Sequence, residues 1–225
     1  MILIELNKPF KDSKKGHSFA LLARQLHSLY AQSPCHSVLI GNLQVGKFNF
    51  DAVWIHDSAV ILFEFKHGWG EIQVRPEGSW TIRKKSIWSG YDSTGYPNDN
   101  PHTQMYAKRN VLYGYLRKHL QMGQIDIACF VCFDGDVSVN DSSRFLSRKA
   151  QWLTLRCIEY TAYAIQAQVR NNQIINDWPS LLRFFRIRQD FRNGSTILPP
   201  FMQRREGFFK RILRYLVEKM EYHAA

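Results

Sequence analysis

The feature that most constrains this chain is a pair of apolar runs, Phe50 to Ile55 and Ala59 to Phe65, joined by His56-Asp57-Ser58 and carrying Asp51, Glu64 and the following Lys66. Both runs are rich in β-branched and aromatic residues, and a polar trio between two such runs reads as a tight reversal, so an antiparallel hairpin is expected. With Asp57 and Ser58 as a two-residue loop, His56 faces Ala59 and Asp51 falls opposite Glu64, with Cβ atoms about 5 Å apart. Lys66 projects from the same face two residues further on, because side chains alternate along a strand. The register rests on that loop length.

Carboxylates placed face to face repel, and an unpaired charge in a buried strand is costly. The pair is therefore tolerable only if protonated, neutralised by Lys66 or bridged by a cation. A hard divalent ion such as Mg²⁺, held by one or two carboxylates and completing its shell with water and phosphate oxygens, fits this donor set. The competing reading is a solvated Glu-x-Lys pair on a sheet edge. Against it, Ile61, Phe63 and Phe65 are apolar on one face while Val60 and Leu62 are apolar on the other, the pattern of a strand covered on both sides.

An Asp on one strand followed by Glu-x-Lys on the next resembles the PD-(D/E)xK nuclease superfamily. More narrowly, Phe50-Asp51, Glu64-Phe65-Lys66, Gly70-Glu71-Ile72, Trp80 and Asn100-Pro101-His102-Thr103-Gln104 are similar, in that order, to the nuclease-related domain (NERD) family over roughly residues 13–135. The resemblance implies a restriction-endonuclease-like α/β fold, a mixed sheet flanked by helices. It further implies that Asp51 and Glu64 hold a metal ion, Mg²⁺ or Mn²⁺, that Lys66 positions or polarises the attacking water, and that Gln104 supports the site from a following helix. Family members usually carry a glutamate directly after a glycine at the start of the first helix, whereas here Gly16 is followed by His17. The substitution would remove an outer metal ligand, weaken metal affinity or favour a softer ion such as Mn²⁺ through imidazole. The competing reading makes His17 a first-turn surface residue with no role.

Charge supports a polyanionic partner. The 30 Lys and Arg against 19 Asp and Glu give a net +11, a field that attracts nucleic acid and makes association salt-dependent. DNA is expected ahead of RNA, although charge alone equally allows mere solubility or adhesion to anionic lipid. No stretch approaches the roughly 20 apolar residues of a membrane span, and Met1 to Glu5 is too short and too acidic for a secretion signal. A cytoplasmic protein is the expectation.

Two motifs read as decoys. Cys129 and Cys132 have the spacing of half a zinc knuckle, but they lie inside the apolar run Ile127 to Phe133, so buried strand cysteines are expected. With Cys35 and Cys157 they suggest no disulfide framework, which suits a reducing compartment. Gly41 to Phe48 copies the glycine and lysine spacing of a phosphate-binding loop, yet Phe48 stands where a hydroxyl should hold Mg²⁺. A turn between strands is expected there, and any ATP-driven motor would be a separate helicase or ATPase partner.

The remaining elements follow from periodicity. A helix is expected over 16–31, with Phe19, Leu22, Ala23 and Leu26 at helical spacing, and strands over 37–43, 47–55 and 59–66. A further hairpin over Ile72, Val74 and Trp80 to Ile82 carries Arg75, Arg83, Lys84 and Lys85, a candidate phosphate grip or ordinary protection of a sheet edge. After a loop over 89–101, Asn100-Pro101 opens a helix to about Leu120 on which Gln104 and Lys108, at i+4, share a face. Strands over 125–133 and 151–155 complete a nuclease core at 1–155. Residues 156–225 form a helical C-terminal extension whose last helix, 203–221, lays an apolar stripe on the core or on a partner. The function expected is a metal-dependent nuclease. The alternative is a catalytically weak or inactive nucleic-acid-binding adaptor, and a homodimer is a candidate assembly because cutting both strands with one active site calls for two copies.

Overall fold

Strands apolar on both faces build the centre of the molecule. In a computed structural model that describes residues 2–75, 78–82, 85–86, 101–120, 125–142, 144–169 and 174–187, a six-stranded sheet runs in the order β1-β2-β3-β4-β8-β10. Its strands are β1 (Ile2–Leu6), β2 (Ser37–Val45), β3 (Phe48–His56), β4 (Ala59–Lys66), β8 (Ile127–Phe133) and β10 (Leu153–Cys157). The β2, β3 and β4 strands pair antiparallel, whereas β1 with β2, β4 with β8 and β8 with β10 pair parallel. A second sheet of β7 (Lys85–Ser86), β6 (Thr81–Ile82), β5 (Gly70–Gln73) and β9 (Val137–Asn140) stands beside it. This is the expected mixed α/β fold, with β9 as a strand that four residues of sequence did not announce.

Helices cover both faces of the main sheet. On one side α1 (Ser13–Tyr30) sets Phe19, Leu22 and Leu26 against Trp54, Ile61 and Phe63. Asp12 caps α1 by accepting from the Lys14 N–H at 2.9 Å, satisfying one of the first-turn donors that a helix leaves open. The packing is close enough that a Cβ at Gly41 of β2 would stand 2.6 Å from the Phe19 ring. On the other side Met105, Leu112 and Leu116 of α2 (Pro101–Leu120) and Trp178 and Leu181 of α5 (Trp178–Phe184) share a core with Val53, Val60 and Leu62. The shorter α3 (Phe145–Lys149) and α4 (Thr161–Gln166) flank β10 in the chain. Strand β4 is buried along both faces, as its two-sided apolar pattern predicts.

The hairpin register is the expected one. Asp57 and Ser58 form the turn, and pairs run from His56↔Ala59 to Ala52↔Phe63. There the ladder stops, one residue short of an Asp51–Glu64 pair, and the face-to-face placement gives way to a different one. Asn42 adopts a left-handed φ of 49°, and at this level both β2 and β3 shift their apolar alternation by one residue. Val38 and Ile40 share a core with Leu43 and Val45, and Val53 and Ile55 share it with Phe50. Asp51 sits at the shift and turns its carboxylate to β4, where the Phe65 N–H donates to Oδ2 at 2.8 Å.

Both decoys resolve as expected. The phosphate-loop lookalike spans β2 and a turn at Gly46 (φ 58°) and Lys47, with Val45 paired to Phe48. Cys129 and Cys132 are buried in β8, and burial pushes each thiol up to about 12, which keeps both protonated. No helix among the described residues is long and apolar enough to cross a membrane. The expected helix over 203–221, the loop over 89–100, Arg83 and Lys84 lie outside the described residues.

Candidate active site

The two carboxylates are buried at the open end of the β3–β4 hairpin, Asp51 at 8% exposure and Glu64 at 3%. Three lysines from three separate elements meet them. Lys66, two residues beyond Glu64 on β4, places Nζ 3.0 Å from Glu64 Oε1. From α2, Lys108 donates to Glu64 Oε2 at 2.6 Å and is itself only 7% exposed. From the first turn of α1, Lys15 donates to both oxygens of Asp51 at 2.8 Å, and its Nζ also lies 4.0 Å from Glu64 Oε1. The displacement of Asp51 out of the ladder is what lets a side chain from the α1 side reach it.

Electrostatics separate the pair. Burial by itself would raise the Glu64 carboxyl, but the charges of Lys108, Lys66 and Lys15 outweigh it and hold Glu64 well below the usual carboxylate range. Asp51 goes the other way, raised by burial and then by the charge of Glu64, with Lys15 offsetting only part. Burial would lower the Lys15 ammonium, and the two carboxylates reverse that and raise it. Glu64 therefore ionises first and Asp51 second.

A bridge of partly exposed side chains fixes the start of α1 beside this cluster. His67 Nδ1 is 2.7 Å from Asp134 Oδ2 and His67 Nε2 is 3.3 Å from Asp12 Oδ2. Asp12 is the α1 cap and Asp134 follows β8, so the residue after Lys66 ties both elements to the C-terminal end of β4. Asp134 Oδ1 also accepts from the Gly68 N–H at 2.9 Å.

Of the residues singled out by sequence, Asp51, Glu64 and Lys66 come together. Gln104 lies half-buried in the first turn of α2, one turn before Lys108. His17 is exposed on α1, and the side chain that α1 sends to the carboxylates is that of Lys15. Arg75 is exposed beyond β5, its carbonyl accepting from Trp80 Nε1 at 2.8 Å, and Lys85 lies in β7. Sequence reasoning missed Lys15 entirely. It noted Lys108 only as sharing the face of Gln104, a helical spacing that in fact points at Glu64. A cavity of about 720 Å³ opens at the opposite, turn end of the hairpin, between Ser58 to Val60 and Arg109, Asn110 and Tyr113.

Two buried carboxylates offer hard oxygen donors of the kind Mg²⁺ or Mn²⁺ takes, with room in the shell for water and phosphate oxygens. No group of three or more His, Cys, Asp or Glu side chains that could hold a metal occurs among the described residues. Two carboxylates alone do not complete the shell of a hard ion, so one held here would take most of its ligands from water and substrate.

A mixed sheet whose central strand carries a buried acid and a lysine two residues apart, with a second acid on the neighbouring strand, defines an α/β protein with a charged site at one end of the sheet. The model of the nuclease-related domain family matches residues 16–134. The chain belongs to that family. No curated protein and no solved structure matches it.

Proposed function

We propose that this chain is a metal-dependent nuclease that hydrolyses phosphodiester bonds, with Asp51 and Glu64 holding Mg²⁺ or Mn²⁺ and DNA as the preferred nucleic acid. The observation that carries the reading is the pair of buried carboxylates met by lysines from β4, α1 and α2. When bound, the ion would lower the pKa of a water and offset charge on the phosphorus. Lys108 and Lys66 keep Glu64 ionised and so ready as a ligand. Lys66, with 18% of its side chain exposed against 9% for Lys108, stands nearer solvent and holds an ammonium where negative charge would develop on the attacking or phosphoryl oxygens. Three ammoniums against two carboxylates leave the cluster net positive, which suits an anionic substrate. The exposed Arg75 and the chain positions of Arg83, Lys84 and Lys85 suit a more distant phosphate contact, and the net +11 suits a nucleic acid in general.

A second reading, a binding or adaptor protein without catalysis that works beside a separate helicase, draws support from Lys15, whose hold on both Asp51 oxygens already neutralises that carboxylate. One experiment separates the two. Supercoiled, linear and single-stranded DNA and an RNA are incubated with wild type and with Glu64→Ala/Lys66→Ala, each in Mg²⁺, Mn²⁺ or EDTA, and resolved on gels. Cleavage by wild type alone, abolished by EDTA and reduced at least about a hundredfold in the variant, is expected. Retained nucleic-acid binding with no cleavage in any metal would establish the adaptor.

A further inference from the structure

The three lysines are not equivalent, and their differences bear on how a cation enters. Lys108 is the most buried, with 9% of its side chain exposed and a 2.6 Å contact to Glu64 Oε2. Lys66 holds the other oxygen of Glu64 at 3.0 Å. Lys15 is the most exposed, at 28% of its side chain. Its Nζ is 2.8 Å from both oxygens of Asp51 and 4.0 Å from Glu64 Oε1, so one ammonium is bonded to the first carboxylate and close to the second. Because three ammoniums face two carboxylates, one is in electrostatic surplus. A hydrated point charge on a flexible four-carbon stem near solvent is the one released at least cost.

We propose that Lys15 is a displaceable counter-ion holding the cation position between Asp51 and Glu64, and that the site it guards takes a single divalent ion. This rests on the metal-site reading above and adds two features to it. Lys108 and Lys66 already occupy Glu64 Oε2 and Oε1, and the Phe65 N–H occupies Asp51 Oδ2, so the lone pairs that remain on the two carboxylates once Lys15 leaves are too few for two ions. Lys15 competes directly for those donors, so the affinity of the chain for divalent ions is set by the exchange of an ammonium for a metal. Lys15 releases into solvent without disturbing the core, since Lys108 and Lys66 remain on Glu64.

Calorimetric titration of Mn²⁺ into the full chain tests this, with wild type beside Lys15→Gln, Lys15→Met and Lys14→Gln. Lys14 is exposed one residue away and its substitution removes the same formal charge without freeing a carboxylate. One Mn²⁺ per chain is expected, bound about tenfold tighter by both Lys15 variants, the equivalent of roughly 1.4 kcal/mol, and nearly unchanged by Lys14→Gln. Thermal melts of the variants without metal check that both Lys15 substitutions fold, since the pair offers one polar and one apolar replacement of similar length. Two ions per chain, or Lys15 variants that bind no tighter than Lys14→Gln, would overturn the proposal while leaving the nuclease reading standing if wild type still binds and cuts. Absence of Mn²⁺ binding in every protein would overturn both.

Discussion

The two ends of the β3–β4 hairpin both carry acidic side chains in or near the core, and they satisfy them in opposite ways. At the turn, Asp57 accepts from the His36 N–H at 2.7 Å and from Trp178 Nε1 at 2.6 Å, while its carbonyl accepts from the Ile174 and Ile175 N–H groups. Beside it His56, with its pKa lowered by burial, and Ser58 hydrogen-bond each other. Every donor there is neutral and fixed by backbone or a packed ring. At the open end Asp51 and Glu64 are met by ammoniums on long flexible stems. The turn end holds its acid with fixed neutral donors, and the open end holds its two acids with charged side chains of greater rotamer freedom. An acid drawn into the core is thus not in itself a functional sign, since Asp57 has its partners in backbone and ring donors alone.

The most severe way to break this contrast is Glu64→Gln. It strands the buried Lys108 charge, and loss of one member of a buried pair costs about 3–5 kcal/mol. Urea denaturation should show that loss, and Glu64→Gln/Lys108→Met should recover most of it while still failing to bind Mn²⁺. A variant pair that stays destabilised would mean that the Lys108 contact is not what makes Glu64 costly to remove.

Asp57→Ala is expected to be the complementary case. It leaves the His36 N–H and Trp178 Nε1 without their acceptor, a cost of about 2–4 kcal/mol, yet Mn²⁺ affinity by calorimetry should be unchanged. An altered affinity would show that the two ends are coupled through β3 and β4 after all.

The smallest effect expected is one of pH. A metal binds only the ionised carboxylate, so protonation of Asp51 competes with it. Because burial and the charge of Glu64 raise Asp51 above its ordinary 3.8, Mn²⁺ affinity should begin to fall at a higher pH than for an ordinary aspartate as the solution is acidified. Glu64, held low chiefly by Lys108 once burial is overcome, would still be ionised there. Affinity flat down to the ordinary aspartate range would remove the asymmetry between the two acids.

How far the sequence discloses this site depends on how local each contact is. The hairpin register was legible because a two-residue turn at Asp57 and Ser58 leaves one pairing, from His56↔Ala59 onward. The exit of Asp51 from that ladder was not, because it depends on Asn42 of a different strand adopting φ 49°. Lys66 was legible by its spacing from Glu64. Lys108 left half a signal, since its i+4 relation to Gln104 fixes a helix face without saying what lies opposite. Lys15 left none: its meeting with Asp51 spans 36 residues of chain and an intervening helix placed by tertiary packing. The C-terminal segment behaves similarly, for Trp178 reaches Asp57 across 121 residues with no pattern to announce it.

The strand order β1-β2-β3-β4-β8-β10 also has a practical meaning for anyone trimming the protein. The family match covers residues 16–134, but β1 ends at Leu6 and β10 begins at Leu153. Both outermost strands of the sheet lie beyond the matched segment. A fragment cut to 16–134 would start inside α1 after Lys15, and would bare the ladder groups of β2 and β8 along two long apolar borders, the geometry from which chains add to one another. Such a fragment is expected to collect in inclusion bodies, whereas one reaching from Ile2 through Ile187 keeps both borders dressed and the Asp57 clamp intact.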